Sequence, residues 1–262
     1  MRVITLLTDF GQDYFVGIMK GVILKINPQA NIVDITHNIA PQDIKGAAFV
    51  LLVSYNYFPP QTIHVVVVDP GVGTERKVIL IKTKNYFFLA PDNGVLSFIL
   101  EREEVEKVLE VKEEKFYLKP VSQTFWGRDV FAPVSAYLSK GIPLLKFGNP
   151  MDISTLRRIS FPSPVYEKEK ARGEIIYVDR FGNLVTNFSC SEFLSWIGKR
   201  RFILYVGKKK VTSLFPSYQQ GREEEIFLLC GSHNFIEITS FNQSAQLLTT
   251  ATCGDSVKVD LL

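Results

Sequence analysis

Residues 64–76 constrain the fold of this chain more than any other stretch. Four consecutive valines, Val65–Val68, predict a strand that is buried on both faces, as in a parallel sheet covered by helices. The strand ends at Asp69, because Pro70 cannot continue the hydrogen-bond ladder. A carboxylate therefore stands at the carboxyl end of a central strand, and Arg76 follows a short loop later.

The loop after this strand can bring the acid and the guanidinium together. Gly71 and Gly73 permit positive φ, so the chain can leave the sheet edge there and return Arg76 towards Asp69. Open α/β sheets place ligand sites at the carboxyl ends of their central strands. From this stretch alone two interpretations stay open: a functional acid and guanidinium, or a surface ion pair on a turn.

Composition excludes several classes of partner. The 262 residues are 46% hydrophobic and 22% charged, which is typical of a globular protein of one or two domains. A net charge of +3 is too small to favour nucleic acid or an anionic membrane surface. Cys190, Cys230 and Cys253 match no zinc spacing, which favours a reducing cytoplasm. Asp9 ends the first apolar run too early for a signal peptide or a membrane span.

The order of strand and helix patterns predicts two domains. Residues 1–155 alternate between the two patterns, which predicts an α/β domain with a mostly parallel sheet flanked by helices. Prolines and a charged run predict a linker over 156–170. Residues 171–262 predict a smaller all-β barrel or sandwich domain. Its strand candidates are 173–179, 201–206, 226–230, 235–239 and 256–260.

Three aspartates lie where helices are expected to begin. Asp13, Asp43 and Asp129 each precede or open an apolar pattern of helical period. A short carboxylate side chain accepts well from the free N–H groups of the first helical turn. Each is therefore predicted to be a helix N-cap.

Asp9 and Asp69 are expected at the same edge of the sheet, because each ends a strand that is predicted to be parallel to the other. Two carboxylate oxygens match the vicinal hydroxyls of a ribose, although a turn or helix-capping role for Asp9 stays open. The sequence contains neither GxGxxG after the first strand nor GxxxxGK[ST]. That absence favours a nucleoside without a phosphate chain.

The second domain carries three polar turns, at 179–183, 231–234 and 241–245. Each is explained equally well as a tight turn. His37, His64 and His233 lie apart from any convincing ligand partner, so structural roles are favoured, and neither a metal nor a cofactor is predicted.

Six motifs, in order along nearly the whole chain, resemble one family. They are Thr8–Gly11, Val33–His37, Ala40–Ile44, Val68–Arg76, Ala90–Gly94 and Phe181–Asn183. The chain is similar to the S-adenosylmethionine hydroxide adenosyltransferases, hydrolases related to the fluorinating and chlorinating enzymes that use the same substrate. The resemblance implies hydrolysis of S-adenosylmethionine to adenosine and methionine. It also implies a homotrimer whose sites lie between one subunit's first domain and a neighbour's second domain.

The resemblance also implies roles for particular residues at the active site. Asp69 and Arg76 are expected around the attacking water, and Asp9 is expected on the ribose hydroxyls. Asp179, Asn183 and Ser232 are expected near the methionine or the adenine, with Asn242 and the backbone at Ala245 on the adenine. Aromatic residues expected against the substrate are Phe10, Phe125, Trp126 and Phe181.

The chain departs from the family at one position. Where the family pattern has histidine in Thr-Phe-His-Gly-Arg-Asp, this chain has Trp126, which cannot accept a proton. Hydrolysis organised by Asp69 and Arg76 is the leading hypothesis. A protein that binds adenosine or S-adenosylmethionine without turnover is the second, and a halide-dependent adenosyl transferase is the third.

Overall fold

A computed structural model describes residues 2–262 of the chain. It divides into two compact units, one ending at Ser160 and the other spanning Phe161–Leu262. Each unit has its own sheet and its own apolar core. Within the described residues, no helix combines the length and the apolar character needed to cross a bilayer.

A seven-stranded mixed sheet forms the centre of the first unit, in the order β2-β1-β3-β5-β4-β6-β7. β2, β1, β3 and β5 are parallel to one another, and β4, β6 and β7 extend the sheet in antiparallel fashion. The strands are β1 (Val3–Thr8), β2 (Asn31–Thr36), β3 (Ile63–Val67), β4 (Val78–Thr83), β5 (Phe87–Pro91), β6 (Val105–Val111) and β7 (Gly148–Pro150).

Helices cover both faces of this sheet, so the predicted α/β class is confirmed. They are α1 (Phe15–Ile26), α2 (Ile44–Ser54), α3 (Ser97–Arg102) and α4 (Ala132–Ser139). α1 and α4 pack against alternate sheet residues such as Ile4 and Val65. Because side chains alternate across a strand, the neighbouring Thr5 and His64 face α2 on the other side.

Of the three predicted N-caps, only Asp43 is confirmed: it accepts a hydrogen bond from Gly46 N at 2.9 Å and opens α2. The prediction for Asp13 is wrong, because α1 begins after Tyr14. The Asp13 carboxylate instead accepts a hydrogen bond from Tyr14 N. The prediction for Asp129 is also wrong. It lies inside a wide π-type turn, Gly127–Phe131, and is fully buried because it serves a tertiary contact.

The second unit is an antiparallel sheet that nearly closes into a barrel, in the order β12-β11-β15-β9-β10-β14-β13 with β8 on β9. The predicted all-β class is confirmed, and β8, β10 and β12 are additional to the expected strands. The strands are β8 (Val165–Tyr166), β9 (Lys170–Val178), β10 (Leu184–Ser189), β11 (Phe202–Val206), β12 (Lys209–Val211), β13 (Phe227–Cys230), β14 (Phe235–Thr239) and β15 (Ser256–Leu261). Two helices, α5 (Cys190–Ile197) and α6 (Ala245–Thr249), complete the unit.

Candidate functional site

Two carboxylates leave neighbouring parallel strands at one edge of the first sheet. Thr8, the last residue of β1, pairs with Val67, the last residue of β3. Asp9 and Asp69 follow these strand ends directly or after one residue. The carboxyl edge of the sheet therefore holds both acids, as the sequence predicts.

Asp69 forms a buried ion pair with Arg76. Arg76 Nη2 donates to Asp69 Oδ2, and the two side chains are only 4% (Asp69) and 6% (Arg76) exposed. Gly71 N donates to the other carboxylate oxygen at 3.2 Å. Because the pair is removed from water, the interpretation as a surface ion pair on a turn is wrong.

The loop that joins the pair depends on one glycine. Gly73 has φ +78°, and a Cβ there would lie 2.1 Å from the carbonyl oxygen of Gln123. Of the two glycines that permit positive φ, only Gly73 adopts it, and Gly71 contributes its N–H to Asp69. The tight approach of Gln123 brings the segment around Phe125 and Trp126 next to the Asp69 loop.

Burial governs the protonation of the pair. Removal from water raises the pKa of Asp69, and the nearby charge of Asp9 raises it further, while Arg76 and the Gly71 N–H oppose the rise. The net shift is upward, so Asp69 is a stronger base than an ordinary aspartate. Burial also lowers the pKa of Arg76, against the opposing charges of Asp69 and Asp92. An arginine nevertheless remains charged at neutral pH.

A cavity of about 380 Å³ opens at this edge. Asp9 and Asp69 line it from the sheet, and Phe10, Phe125 and Trp126 line it from the surrounding loops. Gln42 N donates to Asp9 Oδ2 at 2.8 Å. The remaining lining residues are Phe15, Pro41, Gln42, Val67, Pro70, Val72, Thr124 and Gly127. The cavity thus combines two acids with an aromatic wall.

Asp129 fixes the loop that carries the aromatic wall. Its Oδ2 accepts from Ser122 N at 2.7 Å, and its carboxylate also accepts from Arg128 Nε at 2.6 Å. The Phe125 ring then packs edge-on against Phe10, with centroids 5.9 Å apart. This buried carboxylate explains how the loop holds its shape without regular hydrogen bonds to a strand.

Trp126 contacts the ion pair directly. The guanidinium carbon of Arg76 lies 5.0 Å from the centroid of the Trp126 ring. Trp126 Nε1 and Arg76 Nε are both buried and find no hydrogen-bond acceptor among residues 2–262. One face of the indole is therefore occupied by Arg76.

A second cavity, of about 500 Å³, lies in the barrel unit and is lined by Phe181, Asn183 and Asn242. Asp179 organises the turn beneath it, accepting from Asn183 N at 2.9 Å and from Asn183 Nδ2 at 2.8 Å. Phe181 is 78% exposed although it is a large apolar side chain. The turn 179–183 therefore presents an uncovered ring, while the Asn183 amide is buried and bonded to Asp179 and Thr239.

Three of the predicted residues do not line that cavity: Asp179, which lies in the turn beneath it, Ser232 and Ala245. Ser232 is exposed in the turn between β13 and β14. Ala245 is fully buried as the first residue of α6. Phe181, Asn183 and Asn242 therefore line one cavity, Ala245 directly follows the lining residue Ser244, and Ser232 lies in a different turn.

Two lining residues were not predicted as site residues: Gln42, although it lies in the Ala40–Ile44 motif, and Tyr218. Gln42, in the first cavity, has φ +66°, and its role depends on its backbone N–H rather than on its side chain. Tyr218, in the second cavity, donates to the buried Glu237 at 3.1 Å from a loop distant in sequence. Neither contact follows from a local pattern, because each joins segments that only the fold brings together.

The histidines do not form a metal centre. Within residues 2–262, no three His, Cys, Asp or Glu side chains are grouped to hold a metal ion. His64 Nδ1 lies 2.8 Å from Thr5 Oγ1 in the core, and His37 Nδ1 lies 2.9 Å from Thr8 Oγ1. These two residues therefore have hydrogen-bond partners within the fold.

Comparison with known proteins gives matches over both units. Residues 4–148 match the SAM hydroxide adenosyltransferase N-terminal domain, and residues 173–258 match the C-terminal domain. An (R)-S-adenosyl-L-methionine hydrolase of Methanocaldococcus jannaschii is 34% identical, over 99% of this chain and 96% of the relative. A conserved protein of Thermotoga maritima, solved by crystallography, superimposes with a TM-score of 0.91 at 37% identity, covering 98% of this chain and 100% of that one.

A fluorinase of an Actinoplanes species is more distant, at 27% identity over 71% of each chain. The family models together match more than half of the chain, on both sides of the division between the units. This chain therefore belongs to the SAM hydroxide adenosyltransferase family.

Proposed function

We propose that the protein hydrolyses S-adenosyl-L-methionine to adenosine and L-methionine. The observation that carries the proposal is the buried Asp69–Arg76 pair at the wall of a cavity that also holds Asp9. Family membership and the hydrolase relative that spans nearly the whole chain support the same activity.

In this proposal Asp69 accepts a proton from a water that attacks the 5′ carbon of the substrate in line with the departing sulfur. The leaving group is a neutral thioether, so the reaction needs no general acid. Positioning and partial deprotonation of the water are then the main tasks of the protein. The raised pKa of Asp69 favours proton uptake, because burial outweighs the opposing charge of Arg76.

Substrate recognition is assigned to the residues around the two acids. Asp9 holds the ribose hydroxyls, since a carboxylate offers two acceptors to a vicinal diol. Phe10, Phe125 and Trp126 supply an apolar wall that excludes bulk water from the reacting carbon. In the barrel unit, Asp179, Phe181, Asn183, Ser232, Asn242 and Ala245 are assigned to the adenine and the methionine.

A halide-dependent transferase is less favoured. An ionised Asp69 on the cavity wall repels an incoming halide, whereas it attracts and polarises a water. The fluorinase relative is also less similar to this chain than the hydrolase relative is. Formation of a 5′-halogenated adenosine in chloride or fluoride would favour the transferase.

Binding without turnover is the second candidate, and Trp126 is the observation that favours it. The family pattern has a histidine at this position, and loss of one positioned acid–base group lowers a rate by about 10²- to 10⁴-fold. Calorimetry that shows tight binding of S-adenosylmethionine with no product would support this candidate.

Chromatography of the products tests the proposal. Incubation with S-adenosylmethionine, with and without chloride, is expected to give adenosine and methionine in equal amounts in both cases. Asp69→Asn is expected to lower the rate by about 10²- to 10⁴-fold. Asp152→Asn is the matched control, because Asp152 only caps a short helical turn far along the chain. Equal rates for the two variants would contradict the role of Asp69.

We also propose a homotrimer in which the barrel unit of one subunit completes the Asp9 cavity of a neighbour. Light scattering is then expected to give about three times the chain mass of 29.7 kDa. Asp69→Asn and Asn183→Ala chains, each impaired alone, are expected to recover about a quarter of wild-type activity when co-expressed in mixed trimers. No recovery in the mixed trimers would mean that each site uses a single chain.

A further inference from the structure

We propose that Trp126 is a positioning residue for Arg76. Its ring holds the guanidinium against Asp69, and the same ring forms the wall between the Asp69 cavity and a neighbouring cavity that contains Arg76. The inference rests on the proposed hydrolysis and concerns the one position at which this chain departs from the family pattern.

Three contacts hold the Arg76 guanidinium. Its Nη2 donates to Asp69, its Nη1 donates to the carbonyl oxygen of Lys77, and its Cζ lies 5.0 Å from the Trp126 ring centroid. The ring therefore restrains the guanidinium from a direction that neither hydrogen bond controls. Attraction between a cation and an aromatic face is stronger away from water, and here the Arg76 side chain is only 6% exposed while Trp126 is half-buried.

Two buried N–H donors at this contact have no hydrogen-bond acceptor among residues 2–262. They are Arg76 Nε and Trp126 Nε1. Hydrogen bonds from these two atoms to the protein therefore do not fix the side chains. The ring contact, the ion pair and the Lys77 carbonyl are the interactions that hold Arg76 in place.

Trp126 also lines two cavities of the first unit. One is the 380 Å³ cavity that contains Asp69, and the other is a cavity of about 360 Å³ that contains Arg76. No other described residue lines both. The cavity that contains Arg76 is lined by charged groups from several elements: Glu75, Arg76, Lys77, Glu110, Glu114 and Lys119. A smaller side chain at 126 would join the two spaces and admit water and charge to Asp69.

The backbone around the ring is fixed independently of Arg76. The buried Asp129 holds Ser122 N, and Gly127 lies so close to Met19 and Phe125 that a Cβ would be 3.1 Å from each. The ring is therefore an anchored surface against which the longer and more flexible Arg76 side chain is held, rather than the reverse.

A double-mutant cycle on turnover tests the inference. Trp126→Leu keeps an apolar side chain but removes the ring, and it is expected to lower kcat by about 2- to 30-fold, the range of a cation–π contact, with little change in KM. Trp126→Phe, which keeps a ring face, is expected to recover part of the loss. In Arg76→Gln the further change Trp126→Leu is expected to cost markedly less than it does in the wild type.

Two kinetic outcomes would overturn the inference. Additive losses in Trp126→Leu and Arg76→Gln would mean that the two side chains act separately. A rise in KM at constant kcat would mean that Trp126 acts only through substrate binding and does not position Arg76.

Fluorescence gives a readout that does not depend on hydrolysis. The chain has two tryptophans, so Trp196→Phe leaves Trp126 as the single emitter. In that background Arg76→Gln is expected to change the emission intensity and the quenching by iodide, whereas Asp152→Asn is expected to change neither. If the wild type forms no adenosine, the proposed function fails, and the emission alone decides the inference. Unchanged emission in Arg76→Gln would overturn it.

Discussion

Asn93 donates a hydrogen bond from Nδ2 to the carbonyl oxygen of Val68, at 2.9 Å, and so fixes the residue immediately before Asp69. Its own Oδ1 accepts from Val95 N at 3.2 Å, which locks the amide in one orientation. The turn after β5 is therefore tied to the end of β3, and the position of the Asp69 backbone depends on a side chain from that turn.

Asn93→Asp tests this tie, because a carboxylate has the same shape but cannot donate to Val68. We expect a lower unfolding midpoint and about a tenfold lower kcat, since an unpaired buried carbonyl costs about 1–3 kcal/mol and the Asp69 loop loses its anchor. Thermal unfolding and adenosine formation are the measurements. Asn85→Asp, at an exposed hairpin position, is the control, and equal effects of the two changes would contradict the role of Asn93.

The pH dependence of kcat/KM is expected to report on Asp69. The carboxylate must be ionised to accept a proton, so activity falls as pH falls through its pKa. Burial raises that pKa above the ordinary value of 3.8, and Arg76 opposes the rise. Arg76→Gln removes the opposing charge, so the acid limb of kcat/KM is expected to move to higher pH. A limb that stays in place would separate Arg76 from the ionisation of Asp69.

The left-handed conformation of Gly73 predicts that a side chain at this position lowers stability and turnover. Gly73→Ala places a Cβ against the carbonyl of Gln123 and forces a side chain into positive φ, which costs about 1–3 kcal/mol before any clash is relieved. We expect a lower unfolding midpoint together with slower turnover. Gly21→Ala is the control, because it lies in α1 with open space around it, and alanine there is expected to stabilise by about 1 kcal/mol. Similar effects of the two changes would show that the loop tolerates a Cβ at residue 73.

The sequence predicts the sheet edge well because its signals are local. The valine run and Pro70 locate the end of β3 within one residue, and Asp43 is a helix cap that depends only on its own turn. Asp129 has the same local signal as Asp43. It is instead drawn into the interior by Ser122 and Arg128, which local pattern cannot reveal.

The contacts within the site could not be predicted from the sequence. Trp126 and Arg76 are 50 residues apart, and their contact depends on the close approach of Gln123 to Gly73. Tyr218 reaches Asn183 and Glu237 from a loop between strands, at 3.4 Å and 3.1 Å. Trp126, Arg76 and Asn183 could be named in advance as candidates, whereas Tyr218 and Glu237 could not, and in both cases the partner is set by tertiary packing.

His64 makes the last prediction, which concerns stability in acid. The ring is buried beside Thr5 and stacks on Phe88 at 5.2 Å, and burial lowers its pKa to about 3. Between about pH 6.5 and pH 3 the unfolded chain therefore takes up a proton at this residue that the folded chain does not. The free energy of unfolding is therefore expected to decrease as the pH is lowered through this window, by up to about 1.4 kcal/mol per pH unit from His64 alone.

His64→Phe keeps an aromatic ring against Phe88 and removes the titrating group. At pH 7 the variant is expected to be less stable than the wild type, because the buried Thr5 hydroxyl loses its partner at a cost of about 1–3 kcal/mol. The difference is expected to narrow steadily as the pH is lowered to 4, since only the wild type carries the His64 penalty. Urea unfolding at several pH values, with the same dependence on denaturant for both proteins, measures the difference. A constant difference across the window would show that His64 does not limit stability in acid.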